Sequence, residues 1–176
     1  YAKPSFRLGW TAAGGVRRSL TDEAVSAAPR VLLADSREQP QTWSYSTKKP
    51  SENWNKPDFD ASQWATGPGG FGTRGTPGAM VLTEWKTPDI WLRTKIVVDR
   101  VPSGVALNLH HDEDVQVFIN GQLIYEAQGF LKEYERVVAN DAARGALRVG
   151  ENTIAVHCRQ TGGGQYVDVG LVEARA

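Results

Sequence analysis

Along most of this chain apolar and polar residues alternate in short runs, broken roughly every ten residues by Gly, Pro, Asn or Asp. Ile90, Leu92, Ile96 and Val98 fall on one side of an extended run, with Trp91, Arg93 and Lys95 on the other. Val105, Leu107 and Leu109 repeat the pattern. Val115–Ile119 leads into Asn120-Gly121 and then Gln122–Tyr125. Asn-Gly between two such runs predicts a two-residue hairpin, because a type I′ turn needs positive φ at both centres. Val31–Ala34 and Thr42–Ser46 are further short strands. Thr153–Gln160, a glycine turn over 161–164 and Gln165–Val172 predict a closing hairpin, with Ile154, Val156, Cys158, Val167 and Val169 turned inward. Gly67–Gly78 is too rich in Gly and Pro to be a strand. Helix is suggested in two places, Ser19–Ala28, which Pro29 stops, and a turn or two within Asn140–Leu147. The expected fold is an all-β antiparallel β-sandwich over residues 31–176, preceded in 1–30 by a linker or the tail of another domain.

Composition narrows the functions open to such a fold. The 176 residues suit one domain. Twenty Lys and Arg balance twenty Asp and Glu, for a formal net charge of zero. That balance argues against nucleic-acid binding and against docking to an anionic membrane. A single cysteine, Cys158, excludes a disulfide within the chain and a cysteine-built zinc site. The chain starts at Tyr1 without a signal peptide, and so reads as a fragment of something longer or a matured product.

Several motifs occur in a familiar order. Trp43-x-Tyr45, Trp54, Phe59-Asp-x-Ser62-x-Trp64 and Gly67-Pro-Gly-Gly-Phe-Gly72 resemble the entry of galactose-binding-like jelly rolls attached to glycoside hydrolases. Asp89-Ile-Trp-Leu-Arg93, Val115-x-Val-Phe-Ile-Asn-Gly121 and Gly150-x-Asn-x-Ile-Ala-Val156 resemble strands of the sugar-binding domain of family-two glycoside hydrolases. The resemblance spans residues 31–173. It implies a non-catalytic accessory module of a secreted or periplasmic glycan-degrading enzyme, with a polysaccharide or oligosaccharide and a neighbouring catalytic domain as partners. The chain departs from that pattern at His110-His-Asp-Glu-Asp114 and in the ending Arg159–Tyr166.

Sugars are held by flat apolar faces against ring C–H groups and by planar polar side chains on hydroxyls. Trp85, among polar neighbours just before a strand, is the candidate stacking residue; the alternative is a Trp plugging one end of the core. In the closing hairpin a four-residue loop sets Arg159 opposite Tyr166 and His157 opposite Asp168. With Gln160 and Gln165, these residues form a candidate sugar-binding patch. The alternative is a structural hydrogen-bond network beneath a covering loop such as 67–79. In the polar stretch 110–114, His111 and Glu113 are candidate sugar contacts, and Asp112 and Asp114 candidate ligands of a structural calcium ion. A plain polar turn is the other reading of that stretch. No cofactor is required. A hydrolase built on the 110–114 stretch with His157 and Asp168, and a bracing domain that binds nothing small, stand as rivals. Carboxylates adjacent in one turn are poorly placed to flank a scissile bond, and no Gly-x-Ser-x-Gly elbow is present.

Overall fold

A computed structural model describes residues 28–174. The linker and short helix expected within residues 1–30 fall, but for the last three positions, outside this range. Twelve strands and one short helix follow in order: β1 (Val31–Leu33), β2 (Thr42–Ser46), β3 (Ala65–Pro68), β4 (Phe71–Gly72), β5 (Thr83–Glu84), β6 (Asp89–Val98), β7 (Gly104–Asp112), β8 (Asp114–Ile119), β9 (Gln122–Ala127), β10 (Glu135–Val138), α1 (Ala142–Ala146), β11 (Gly150–Arg159) and β12 (Tyr166–Ala174). They form two six-stranded sheets packed as a β-sandwich, in which the β4–β5 pair is parallel and the other pairs antiparallel.

One sheet has the order β3-β2-β6-β11-β8-β9. The other runs β10-β7-β12-β4-β5, with β1 added to the far end of β12. The inward rows are those that alternation predicts. Ile90, Leu92, Ile96 and Val98 from β6, Val115, Val117 and Ile119 from β8, and Ile154, Val156 and Cys158 from β11 make one wall of the core. Val105, Leu107 and Leu109 from β7 and Val167, Val169 and Leu171 from β12 make the other. Each such side chain removed from water contributes about 1.5–3 kcal/mol before chain entropy is subtracted, so these rows dominate the fold. The Asn120-Gly121 turn joins β8 to β9 with φ of 50° and 85°, as a type I′ turn requires. Asn120 also ties the turn down: its amide donates to Ala146 O and Asn152 Oδ1, and its Oδ1 accepts from Thr153 N, each at 2.8 Å.

Two expectations are overturned. Thr153–Gln160 and Gln165–Val172 do not pair. β11 lies between β6 and β8 in one sheet, and β12 between β7 and β4 in the other, so residues 160–165 carry the chain across the sandwich. Each strand is central in its own layer, and β12 is buried over Tyr166–Val172 without alternation because both of its faces are covered. The same step occurs between β7 and β8, where Glu113 alone separates the two layers. The glycine-rich stretch also supplies strand: β3 and β4 both draw on it. Its glycines permit close approach, since a Cβ on Gly72 would lie 2.2 Å from Gln165 O and one on Gly67 would lie 2.7 Å from Thr83 Oγ1.

Candidate functional site

The outer faces of the two sheets differ, and the difference separates the predicted site residues. On the β7–β12 sheet, the outward row pairs Tyr166 with Asp112, Asp168 with His110 and Gly170 with Asn108. This row is roofed over. The segment after β1 passes so near Gly170 that a Cβ there would come within 2.9 Å of Asp35 N. Ser36 then bonds Asp168 through both its backbone N and its Oγ, at 2.8 Å each. Tyr134 Oη donates at 2.7 Å to the same carboxylate oxygen as Ser36 N and lies 2.6 Å from Tyr166 Oη, which in turn donates to Met80 O. His110 packs edge-on between the two tyrosine rings, and the Arg37 guanidinium sits 3.8 Å above the Tyr134 ring.

Tyr166 is accordingly 0% exposed and Asp168 3% exposed. Burial pushes the Asp168 carboxyl above the usual carboxylate range, with the bonds from Ser36 and Tyr134 opposing it. Asp35 is pulled the other way: burial raises it, and the Arg37 guanidinium and Asn108 amide together outweigh burial and lower it. Tyr166 and Asp168 are therefore closed to solvent rather than set on an open patch, covered by the segment after β1, Tyr134 and Met80. Gln165 joins them, its side-chain amide donating to Thr87 O at 2.7 Å and its backbone N to Thr76 Oγ1. Trp85 is corrected likewise. It is 2% exposed within the core, and its indole N–H bonds Thr87 Oγ1 and Asp89 O.

The outer face of the β6–β11–β8 sheet is half covered. Residues 48–64 fold across it, and Trp54 and Trp91 are buried there with Ala155, against Phe59, Trp64 and Phe118. Arg93 anchors this flap by donating to the carbonyls of Trp54 and Phe59. Trp43 lies in the main core. Beyond Trp91 the flap ends and the face is open. Cross-strand register lays out two rows there: Trp91, His157, Gln116 and Glu126 in one, and Asp89, Arg159 and Asp114 in the next. The His157 ring stacks on Trp91 with centroids 4.9 Å apart and planes 8° from parallel. Its Nε2 lies 2.7 Å from Asp89 Oδ1. Of these residues His157, Gln116, Glu126, Arg159 and Asp114, together with Gln128, line an open cleft of about 510 Å³.

The stretch 110–114 is not a turn but the end of β7, the crossover and the start of β8. His111 faces inward and is 1% exposed, its Nδ1 against Glu113 O. Burial lowers the pKa of its imidazole. Glu113 accepts a hydrogen bond from Thr161 Oγ1, joining the two crossovers. Gln160 is half-buried, its side-chain amide donating to Gly163 O. Asp114 accepts from Gly129 N on the sheet-face side, whereas Asp112 lines a separate cleft with Phe130 and Gly162–Gly164. The two carboxylates thus line different clefts. Among the described residues no group of three His, Cys, Asp or Glu side chains is arranged to hold a metal. Of the predicted patch, the structure brings His157 and Arg159 together on an open face. It adds Gln116, Glu126 and Gln128, which sequence reasoning missed; the register of β8 and β9 on β11, read from the Asn-Gly turn, was the signal that pointed to them.

No family model matches the chain, and no curated protein matches it. Solved structures do. A β-glycosidase from Bacteroides vulgatus superimposes with a TM-score of 0.52 at 15% identity, over 81% of this chain and 20% of that one. A Bacteroides uniformis β-glucuronidase gives 0.52 at 19%, over 76% and 18%. A glycosyl hydrolase family 2 member from Bacteroides cellulosilyticus DSM 14838 gives 0.52 at 15%, over 74% and 20%. The chain shares its fold with one part of glycoside hydrolases. It spans about a fifth of the length of these enzymes. No helix among the described residues is long and apolar enough to cross a membrane.

Proposed function

We propose that this chain is a non-catalytic, galactose-binding-like accessory module of a larger secreted or periplasmic glycoside hydrolase, and that it holds glycan in the open cleft on the β6–β11–β8 sheet. The observation that carries the reading is the contrast between the two outer faces. One is sealed by its own loops, and the other leaves planar amide, carboxylate and guanidinium side chains exposed in register beside the Trp91–His157 stack. Vicinal hydroxyls present paired donors and acceptors at the spacing of such planar groups, and the shallow openness of the cleft suits a chain that continues past the site. Arg159 stands across from Asp89 on one side and Asp114 on the other. Its charge is locally balanced, which favours neutral sugars over strongly anionic ones.

The rival reading as a bracing domain draws support from the three fold matches described above, in each of which the matched region is about a fifth of a longer enzyme. Affinity electrophoresis against a set of neutral polysaccharides separates the two. Arg159→Ala should lose retention while its melting temperature stays within about 1 °C of the parent, as expected for an exposed surface change. A parent chain that migrates freely through every polysaccharide tested would remove the sugar-binding half of the proposal and leave the bracing role.

A further inference from the structure

Among the described residues Phe130 is the one aromatic side chain more open than covered, at 56% exposed. It is not loose. Its backbone pairs with Asp112 through an isolated β-bridge, and the next residue, Leu131, donates its N–H to His111 O and accepts from the His110 ring. A rigid ring left in water is the usual core of a protein contact, because its area is large and little further entropy is lost on docking. Phe130 lines a cleft of about 340 Å³ at the end of the sandwich where both crossovers lie. The glycines of the 160–165 crossover line it too, and a Cβ on Gly162 or Gly163 would meet nothing within 4 Å, so bare peptide planes are offered there. Two charged groups share the cleft, Glu113 and Lys132, and they form no ion pair with each other; the hydrogen bond of the Glu113 carboxylate is to Thr161 Oγ1.

One small surface thus carries a projecting ring beside a flat receiving wall, and a cation beside a carboxylate. That is what a two-fold contact requires, since the same patch must serve as both partners. We propose that a second copy of this chain docks here across a two-fold axis, each Phe130 ring lying on the other copy's Gly162–Gly164 backbone and each Lys132 meeting the other copy's Glu113. A strongly acidic or strongly basic partner fits less well, because it would meet one like charge in the cleft for every opposite one. The formal net charge of zero leaves no overall repulsion between two copies. The residues used are separate from those lining the sheet-face cleft, so the proposal stands apart from the glycan-binding reading.

The test is sedimentation of the 176-residue chain over a concentration series. Contacts built on a patch this small are weak and transient, so the series should reach about 1 mM. The expected result is a concentration-dependent shift from monomer to dimer with no larger species. Phe130→Asp should weaken association at least about tenfold while its circular dichroism melt matches the parent, as befits an exposed position. Lys132→Glu and Glu113→Lys should each weaken it alone, since like charges then meet twice across the axis. An equimolar mixture of those two variants should recover the dimer, because both contacts are then again between opposite charges. A chain that stays monomeric to about 1 mM would overturn the proposal. So would a dimer that keeps its affinity in Phe130→Asp, or a mixture that associates no better than either single variant.

Discussion

Asp168→Ala separates the sealed face from the open one. In the parent, this carboxylate accepts hydrogen bonds from Ser36 N, Ser36 Oγ and Tyr134 Oη. Truncation leaves three buried donors. The two hydroxyls can rotate toward other acceptors at a loss of about 1 kcal/mol each, whereas the fixed Ser36 N–H cannot and costs about 1–3 kcal/mol. Against this, burial holds the Asp168 carboxyl above its ordinary range, so its removal returns part of a desolvation penalty. The net is a loss of about 2–4 kcal/mol. At about 2–4 °C per kcal/mol for a chain of this size, the melting temperature should fall by about 5–15 °C. Thermal unfolding followed by circular dichroism, with urea titration to check that the slope is unchanged, measures it. Tyr134→Phe should cost about 1 kcal/mol, and the pair should be non-additive because both act on one network. A fall of less than about 2 °C for Asp168→Ala would refute the claim that this network fastens the loop after β1 to the sheet.

Other outcomes follow from separate features. Burial first, and then the neighbouring Glu113 carboxylate, push Asp112 up to about 6 from 3.8. The folded chain therefore holds this proton more tightly than the unfolded one, and the stability Asp112 confers is lost as pH rises from about 4 to about 6. At 1.36 kcal/mol per pH step the full span is about 3 kcal/mol, halved to about 1.5 by water in the cleft. Asp112→Asn should flatten that dependence and melt higher at pH 7; urea titrations across pH 4–8 test both. Gly121→Val should cost about 2–3 kcal/mol, because φ is 85° and the new Cβ would lie 3.1 Å from Lys56 Cγ, and a melt would show it. Calcium and chelator should give the same melting temperature, since Asp112 and Asp114 serve different clefts; a rise of several degrees with calcium would show that they meet at an ion after all.

Much of the layer structure was legible before any coordinates, because alternation at Ile90–Val98, Val105–Leu109 and Val115–Ile119 records which face meets the core. What alternation does not record is which layer a strand joins. Thr153–Gln160 and Gln165–Val172 have the local pattern of a hairpin, yet the cover over Asp168 and Gly170 comes from a segment more than a hundred residues earlier in the chain. Long-range roofing of this kind leaves no periodic mark. The same blindness explains Trp85, whose polar neighbours Glu84 and Lys86 pair with each other at the surface while the indole turns into the core. His157 and Arg159 were legible because their outward direction follows from Val156 and Cys158 alone.

The two crossings between layers bear on how the chain is assembled during synthesis. When residues up to Arg159 have emerged, the β6–β11–β8 layer has all its strands. The opposite layer still lacks β12, the strand to which β1, β4 and β7 all attach. Its earlier strands must wait, unpaired along one edge, until residues 166–174 arrive and close it. A ribosome pause or a cleavage within 160–165 would thus leave one finished leaf facing an open one, with the greasy inner surface of the first still wet.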